Sequence, residues 1–122
     1  MAEQITPAEK LRTCSLIDVD TGLKYCMNNP DFYTVILKEY LDGSRYNELE
    51  ELFAAGNIAK YQVAVHSLKN TSLTIGACKL SQKAKALEQA CKDGNREYLQ
   101  KNHEPFLESY RRVLSEVSAA IA

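Results

Sequence analysis

His66, Lys69 and Glu88 are the residues in this sequence whose types and spacing best suit a chemical step. A neutral imidazole carries one nitrogen with a free lone pair, which can attack an electrophilic phosphorus. Free imidazole titrates near pH ~6.5, so a neutral fraction is present under cellular conditions. Lys69 follows His66 by three residues, one helical turn, which suits a cation that neutralises a transferring phosphoryl group. The second ring nitrogen needs an acceptor to hold one tautomer. If two antiparallel helices turn about Ala77, residues equidistant from it lie level, and His66 then faces Glu88. A carboxylate there would accept from the inner nitrogen and orient the ring.

The element that must carry His66 is a helix. Ile58, Tyr61, Val65, Leu68, Ser72 and Ile75 recur at alternating steps of three and four residues, which makes one inward stripe. At about 100° per residue, His66 points roughly 130° from the centre of that stripe, and Asn70 lies almost opposite the core. Ala59, Val63 and Leu73 fall on or beside the same outward face. Scattered surface hydrophobes need no explanation, but grouped around a solvated histidine they read as a docking patch with Ala59, Val63, Asn70 and Leu73 as members. Lys83 and Lys85 are expected near the level of His66 on the facing helix, as ordinary surface charges that add positive field. The other histidine, His103, falls on an inward stripe and reads as a hydrogen-bonded, partly buried side chain.

A chain of 122 residues suits one domain with one core. Its 45% apolar and 25% charged content is that of an ordinary globule. A net charge of −1 argues against non-specific nucleic-acid binding, because no basic excess exists to neutralise phosphates. No apolar run approaches the ~18 residues of a membrane helix, and no basic-then-apolar signal pattern opens the chain. A cytoplasmic monomer is expected. Cys14, Cys26, Cys78 and Cys91 lack the clustered spacing of a zinc site and are read as free thiols.

The expected fold class is all-α: an up-down-up-down antiparallel four-helix bundle with one or two short N-terminal helices. Thr6-Pro7-Ala8-Glu9 is a capping box with Pro at the first helical position. A second short helix follows Asp18, with Val19, Leu23 and Cys26 on one face. Asn29-Pro30 caps a long helix whose core face carries Tyr33, Ile36, Leu37, Tyr40 and Leu41. Leu41 to Leu52 spans 11 residues, close to three turns, so the stripe keeps its phase past Gly43. A single helix to about Ala55, bent at Gly43, is expected. Gly56-Asn57 stops it and caps the His66 helix, which ends at Gly76. The next helix carries Leu80, Ala84, Leu87 and Cys91 inward and ends at Asp93-Gly94-Asn95. The last carries Leu99, His103, Phe106, Tyr110, Val113 and Val117, with Pro105 kinking it.

His66, Leu68, Lys69, Ser72, Gly76, Ala77 and Leu80 together resemble the motif of the histidine phosphotransfer (HPt) domain family. The family pattern reads roughly His-x-Leu-Lys-Gly-x-Ser-x-x-x-Gly-Ala-x-x-Leu, and this chain departs from it at Asn70, where the family usually has glycine. Ile17-Asp18-Val19-Asp20-Thr21-Gly22-Leu23 looks like the family's opening segment, so the resemblance covers about residues 17 to 118 of one domain spanning 1–122. It implies a phosphoryl carrier with His66, Lys69 and Glu88 as its catalytic set and the phosphoryl group on the outer ring nitrogen. His66 would take the group from the aspartate of a receiver domain and relay it to another, as the C-terminal domains of hybrid sensor kinases do. The partners are then receiver domains of response regulators or hybrid kinases. No Gly-rich phosphate loop or magnesium-holding carboxylate cluster is visible, so no cofactor and no ATP-dependent kinase activity are expected, and magnesium is expected on the receiver. Two other readings use the same residues: an adaptor of HPt shape that binds a receiver-like partner without transfer, and a helical interaction module.

Overall fold

The computed structural model describes residues 5–122, and among these every regular element is a helix. The first two are short. In α1 (Pro7–Leu11) the Thr6 hydroxyl accepts from the Glu9 N–H at 3.2 Å, satisfying one of the orphan donors of the first turn. Ala8 and Leu11 are buried, and the element packs against the last helix. In α2 (Val19–Tyr25) the Asp18 carboxylate caps Thr21 N–H at 3.2 Å.

The next segment differs from expectation. The single helix expected from Pro30 to Ala55 is two: α3 (Pro30–Asp42) and α4 (Tyr46–Ala54). Of the three residues at the break, Gly43 and Ser44 are weaker helix formers than Arg45, and glycine costs about 1 kcal/mol relative to alanine within a helix. Gly43 closes α3 by donating its N–H to Glu39 O at 2.8 Å. Arg45 leaves the helical region, and its N–H is taken by the buried Tyr110 hydroxyl at 3.0 Å. A tertiary hydrogen bond thus replaces a helical one. The apolar phase that runs from Leu41 to Leu52 says nothing of such a capture, because both arrangements bury Leu49.

Gly56, at φ +69°, ends the α4 segment in the left-handed region, and Asn57 caps α5 (Ile58–Thr74) by accepting from Lys60 N–H at 3.2 Å. Tyr61, Ala64, Val65, Leu68 and Ser72 are its buried residues, the expected stripe with Ala64 added and Ile58 only half-buried. Ser72 is buried because its hydroxyl pairs with that of Tyr40 at 2.8 Å, which satisfies both groups. Gly76, at φ +89°, turns the chain into α6 (Cys78–Asp93). A Cβ at Gly76 would overlap Asp18 O, so this glycine serves close approach as well as the turn. Asp18 N–H donates to Gly76 O at 2.8 Å and the Tyr33 hydroxyl to Ile75 O at 2.8 Å, so α2 and α3 both grip the end of α5.

Helix α6 ends at Gly94 in the left-handed conformation, and Asn95 caps α7 (Arg96–Ile121), which continues through Pro105. The heaviest packing is between α5 and α6, followed by α6 with α7. The α5–α6 pair is antiparallel: Ser81 reaches the Lys69 carbonyl, whereas Glu88, further along α6, reaches back to His66. One core joins all seven helices, and all four cysteines are free. Among the described residues no helix is long and apolar enough to cross a membrane.

Candidate functional site

Equidistance from the Ala77 turn does set His66 beside Glu88. Glu88 sits on α6 with a buried side chain, and its Oε2 lies 2.5 Å from His66 Nδ1. An ionised carboxylate has no proton to give, so Nδ1–H donates. This fixes the tautomer of a neutral ring: Nδ1 keeps the proton and Nε2 keeps the lone pair. The His66 side chain is 54% exposed against 6% for Glu88. The pair is therefore anchored at its inner end and open at its outer end.

A carboxylate with so little access to water is costly unless paired. Glu88 Oε1 accepts from Lys69 Nζ at 2.8 Å. The hydrogen bond from Lys69 is the largest cause holding the Glu88 carboxyl below the usual carboxylate range, with the His66 bond adding to it and burial opposing both. Lys69 is accordingly less exposed than a surface lysine, at 24% of its side chain. Its backbone is held as well, because Ser81 Oγ donates to the Lys69 carbonyl at 2.8 Å. The lysine expected to face the incoming group is engaged with the residue that orients the histidine.

The outward face is as the stripe placed it. Val63 is 69% exposed, Ala59 and Asn70 are exposed, and Leu73 is half-buried. Lys83 is not beside His66. Its Nζ donates to Ser109 Oγ on α7 at 2.8 Å, so it points to the other side of α6. Level along a helix pair does not fix the direction around the axis, and the five residues between Glu88 and Lys83 turn Lys83 about 140° around α6, toward α7. Lys85 stays exposed. The sequence reading did not single out Lys92, whose Nζ is 4.0 Å from Glu88 Oε2. The signal was available: Glu88 and Lys92 are an i,i+4 pair in the favourable orientation.

His103 occupies the opposite kind of environment. It is 2% exposed, its Nδ1 is 2.9 Å from the Tyr61 hydroxyl, and its ring stacks on Phe53 with centroids 3.9 Å apart. Burial pushes its pKa below the ordinary histidine value, against a smaller opposing influence of Glu104 and Glu50.

The helical frame thus offers one solvent-facing, carboxylate-anchored imidazole, and comparison with family models gives the class of domain that carries it. The model of the Hpt domain family matches residues 43–121, more than half of the chain. The chain belongs to the Hpt domain family, the histidine-containing phosphotransfer domains of two-component phosphorelays. The match starts at the break before α4 and includes α5, α6 and α7, hence all of His66, Lys69 and Glu88. It leaves the resembling segment 17–23 outside. Comparisons with characterised proteins and with solved structures returned no match.

Proposed function

We propose that His66 is the phosphoryl-carrying residue of a phosphorelay intermediate, accepting the group from a receiver-domain aspartate and passing it to another. The observation that carries this reading is the 2.5 Å contact of His66 Nδ1 with buried Glu88, which leaves Nε2 as the free nucleophile on an exposed ring. In the step, the Nε2 lone pair forms the N–P bond. The P–O bond to the donor aspartate breaks, and its electron pair leaves on the aspartate carboxylate. The ring retains the Nδ1 proton and gains positive charge as the bond forms. Glu88, held ionised by Lys69, lies against that charge and stabilises it, as a buried carboxylate stabilises an imidazolium elsewhere. The same proton lets the ring leave as a neutral imidazole when the group moves on. His66 is the catalytic residue here, and Glu88 and Lys69 are positioning residues; Lys69 also adds positive potential near the phosphoryl oxygens.

The four long segments (α3 with α4, α5, α6, α7) fit an up-down-up-down bundle that presents this site on one side. The domain supplies no nucleotide machinery in this reading. The receiver brings the magnesium and the acidic site, and docks on Ala59, Val63, Asn70 and Leu73 around His66. A transient relay suits a small interface with an apolar centre and polar rim.

The test is incubation with a receiver domain labelled on its aspartate. The label is expected to appear on this chain, stable to base and labile to acid, as a phosphoramidate is. His66→Gln is expected to abolish it while the helical circular dichroism stays unchanged. Equal labelling of that variant would refute the assignment.

A further inference from the structure

Charge is unevenly divided among the helices. Helices α5 and α6 carry six lysines against two acidic residues, Glu88 and Asp93, on a chain whose net charge is −1. Helices α3 and α4 carry six acidic residues against one lysine. No acidic residue lies anywhere on α5. One of the two acids of the basic pair, Glu88, is buried and already neutralised by Lys69. With that pair set aside, Lys60, Lys79, Lys83, Lys85 and Lys92 still face only Asp93 on these two helices, so they keep a positive balance.

Within that field Lys69 and Lys92 are not equivalent. Lys69 closes on Glu88 Oε1 at 2.8 Å, while Glu88 Oε2 is taken by His66 at 2.5 Å. Lys92 stands at 4.0 Å from the same oxygen with 53% of its side chain exposed. It is the surplus cation of the cluster, because both carboxylate oxygens have closer partners. It also lies on the other side of His66. Along the bundle Lys69 is displaced from His66 toward the Ala77 turn. Lys92 is one turn beyond Glu88 in the opposite direction, at the end of the face that holds Val63 and Ala59.

We propose that Lys92 is a docking and specificity-determining residue that draws the anionic site of a phosphorylated receiver onto the Val63 side of His66. This rests on the phosphorelay reading of His66. A partner carrying an aspartyl phosphate presents concentrated negative charge, which α5 and α6 attract and α3 and α4 repel. An uncommitted lysine at the rim acts on encounter and orientation. Lys69, committed to Glu88, acts on the step itself.

Phosphotransfer rates measured against receiver concentration at several salt concentrations separate the two lysines. Lys92→Gln is expected to raise KM about threefold, in keeping with an exposed charge pair, and to leave the saturating rate within about twofold. Lys92→Glu is expected to raise KM about tenfold or more, and both variants should flatten the salt dependence. Affinity for the receiver with its aspartate capped by beryllofluoride should fall in the same order, a measurement that needs no transfer. Unchanged affinity and salt slope in both variants would overturn the proposal even if His66 is labelled normally. So would a fall in saturating rate at constant KM. Equally tight binding of inorganic polyphosphate, weakened in parallel by Lys92→Glu, would show a general anion surface and also overturn it. Absence of label on wild-type His66, with receiver affinity still dependent on Lys92, would count against the phosphotransfer reading alone.

Discussion

The two histidines of this chain lie on different helices, α5 and α7, and have opposite surroundings. His66 meets an ionised carboxylate at its inner nitrogen and water at its outer one. His103 meets a tyrosine hydroxyl and an aromatic face and almost no water. Burial among aromatic rings disfavours a proton on the His103 ring. What separates an exposed, anchored ring from a piece of core is thus the direction of the residue on its helix and the partner at that position, and not residue type.

The sharpest way to break that contrast is to remove each ring and measure stability. His103→Ala is expected to cost about 2–4 kcal/mol, because it opens a cavity against Phe53 and strands the Tyr61 hydroxyl. His66→Gln is expected to stay within about 0.5 kcal/mol of wild type, as exposed substitutions usually do. Urea unfolding of both variants decides this, and comparable losses would mean that His66 is structural too.

Acid sharpens the same comparison. His103 has a folded-state pKa below its unfolded value, so the unfolded chain binds more protons in the intervening window. Its contribution to stability is full above about pH 6.5 and is lost as pH falls through that value toward the folded pKa. Glu88 is also depressed, but from the carboxylate range, so its contribution persists to lower pH and is lost only as pH falls through its own folded pKa. Denaturation between pH 7 and 5 is expected to show the His103 loss, and His103→Phe to flatten it. An unchanged slope in that variant would assign the loss to another group.

Smaller effects belong to the groups around His66. Lys69→Ala and Glu88→Gln are each expected to slow transfer about tenfold, equivalent to about 1.4 kcal/mol. The double variant should be far from additive, because one ion pair links them. Full additivity would mean that Lys69 acts on the phosphoryl group independently of Glu88. The smallest effects are expected on the docking face. Val63→Glu should weaken receiver binding by repulsion and lost apolar contact without unfolding the domain. Asn70→Gly restores the smaller residue of the family motif and is expected to ease approach slightly, at some cost in helix propensity. Indifference of binding to both changes would place the partner on another face.

How much of this was legible in the sequence depended on periodicity. The α5 stripe fixed the outward direction of His66, and the Ala77 turn fixed Glu88 as its neighbour, because both follow from helical repeat and hairpin symmetry. The caps at Thr6, Asn29 and Asn57 were local and readable, whereas Asp18 and Asn95 were read only as residues at helix ends and prove to be caps too. The break at Gly43–Arg45 was not, since it depends on a hydroxyl 65 residues away on α7. The engagement of Lys69 with Glu88 was missed for a similar reason: a lysine one turn from a histidine has several reachable partners, and only the buried carboxylate across the hairpin selects one. Lys83 was misplaced because level was known and azimuth was not.

The central claim is that Glu88 fixes the proton on Nδ1 and so directs the phosphoryl group to Nε2 of His66. Phosphorus and nitrogen NMR of the domain, labelled by a phosphorylated receiver, tests it directly. The expected result is one phosphohistidine, with coupling from phosphorus to Nε2 and the Nδ1 proton still present. A phosphoryl group on Nδ1, on His103, or on any residue other than histidine would contradict it.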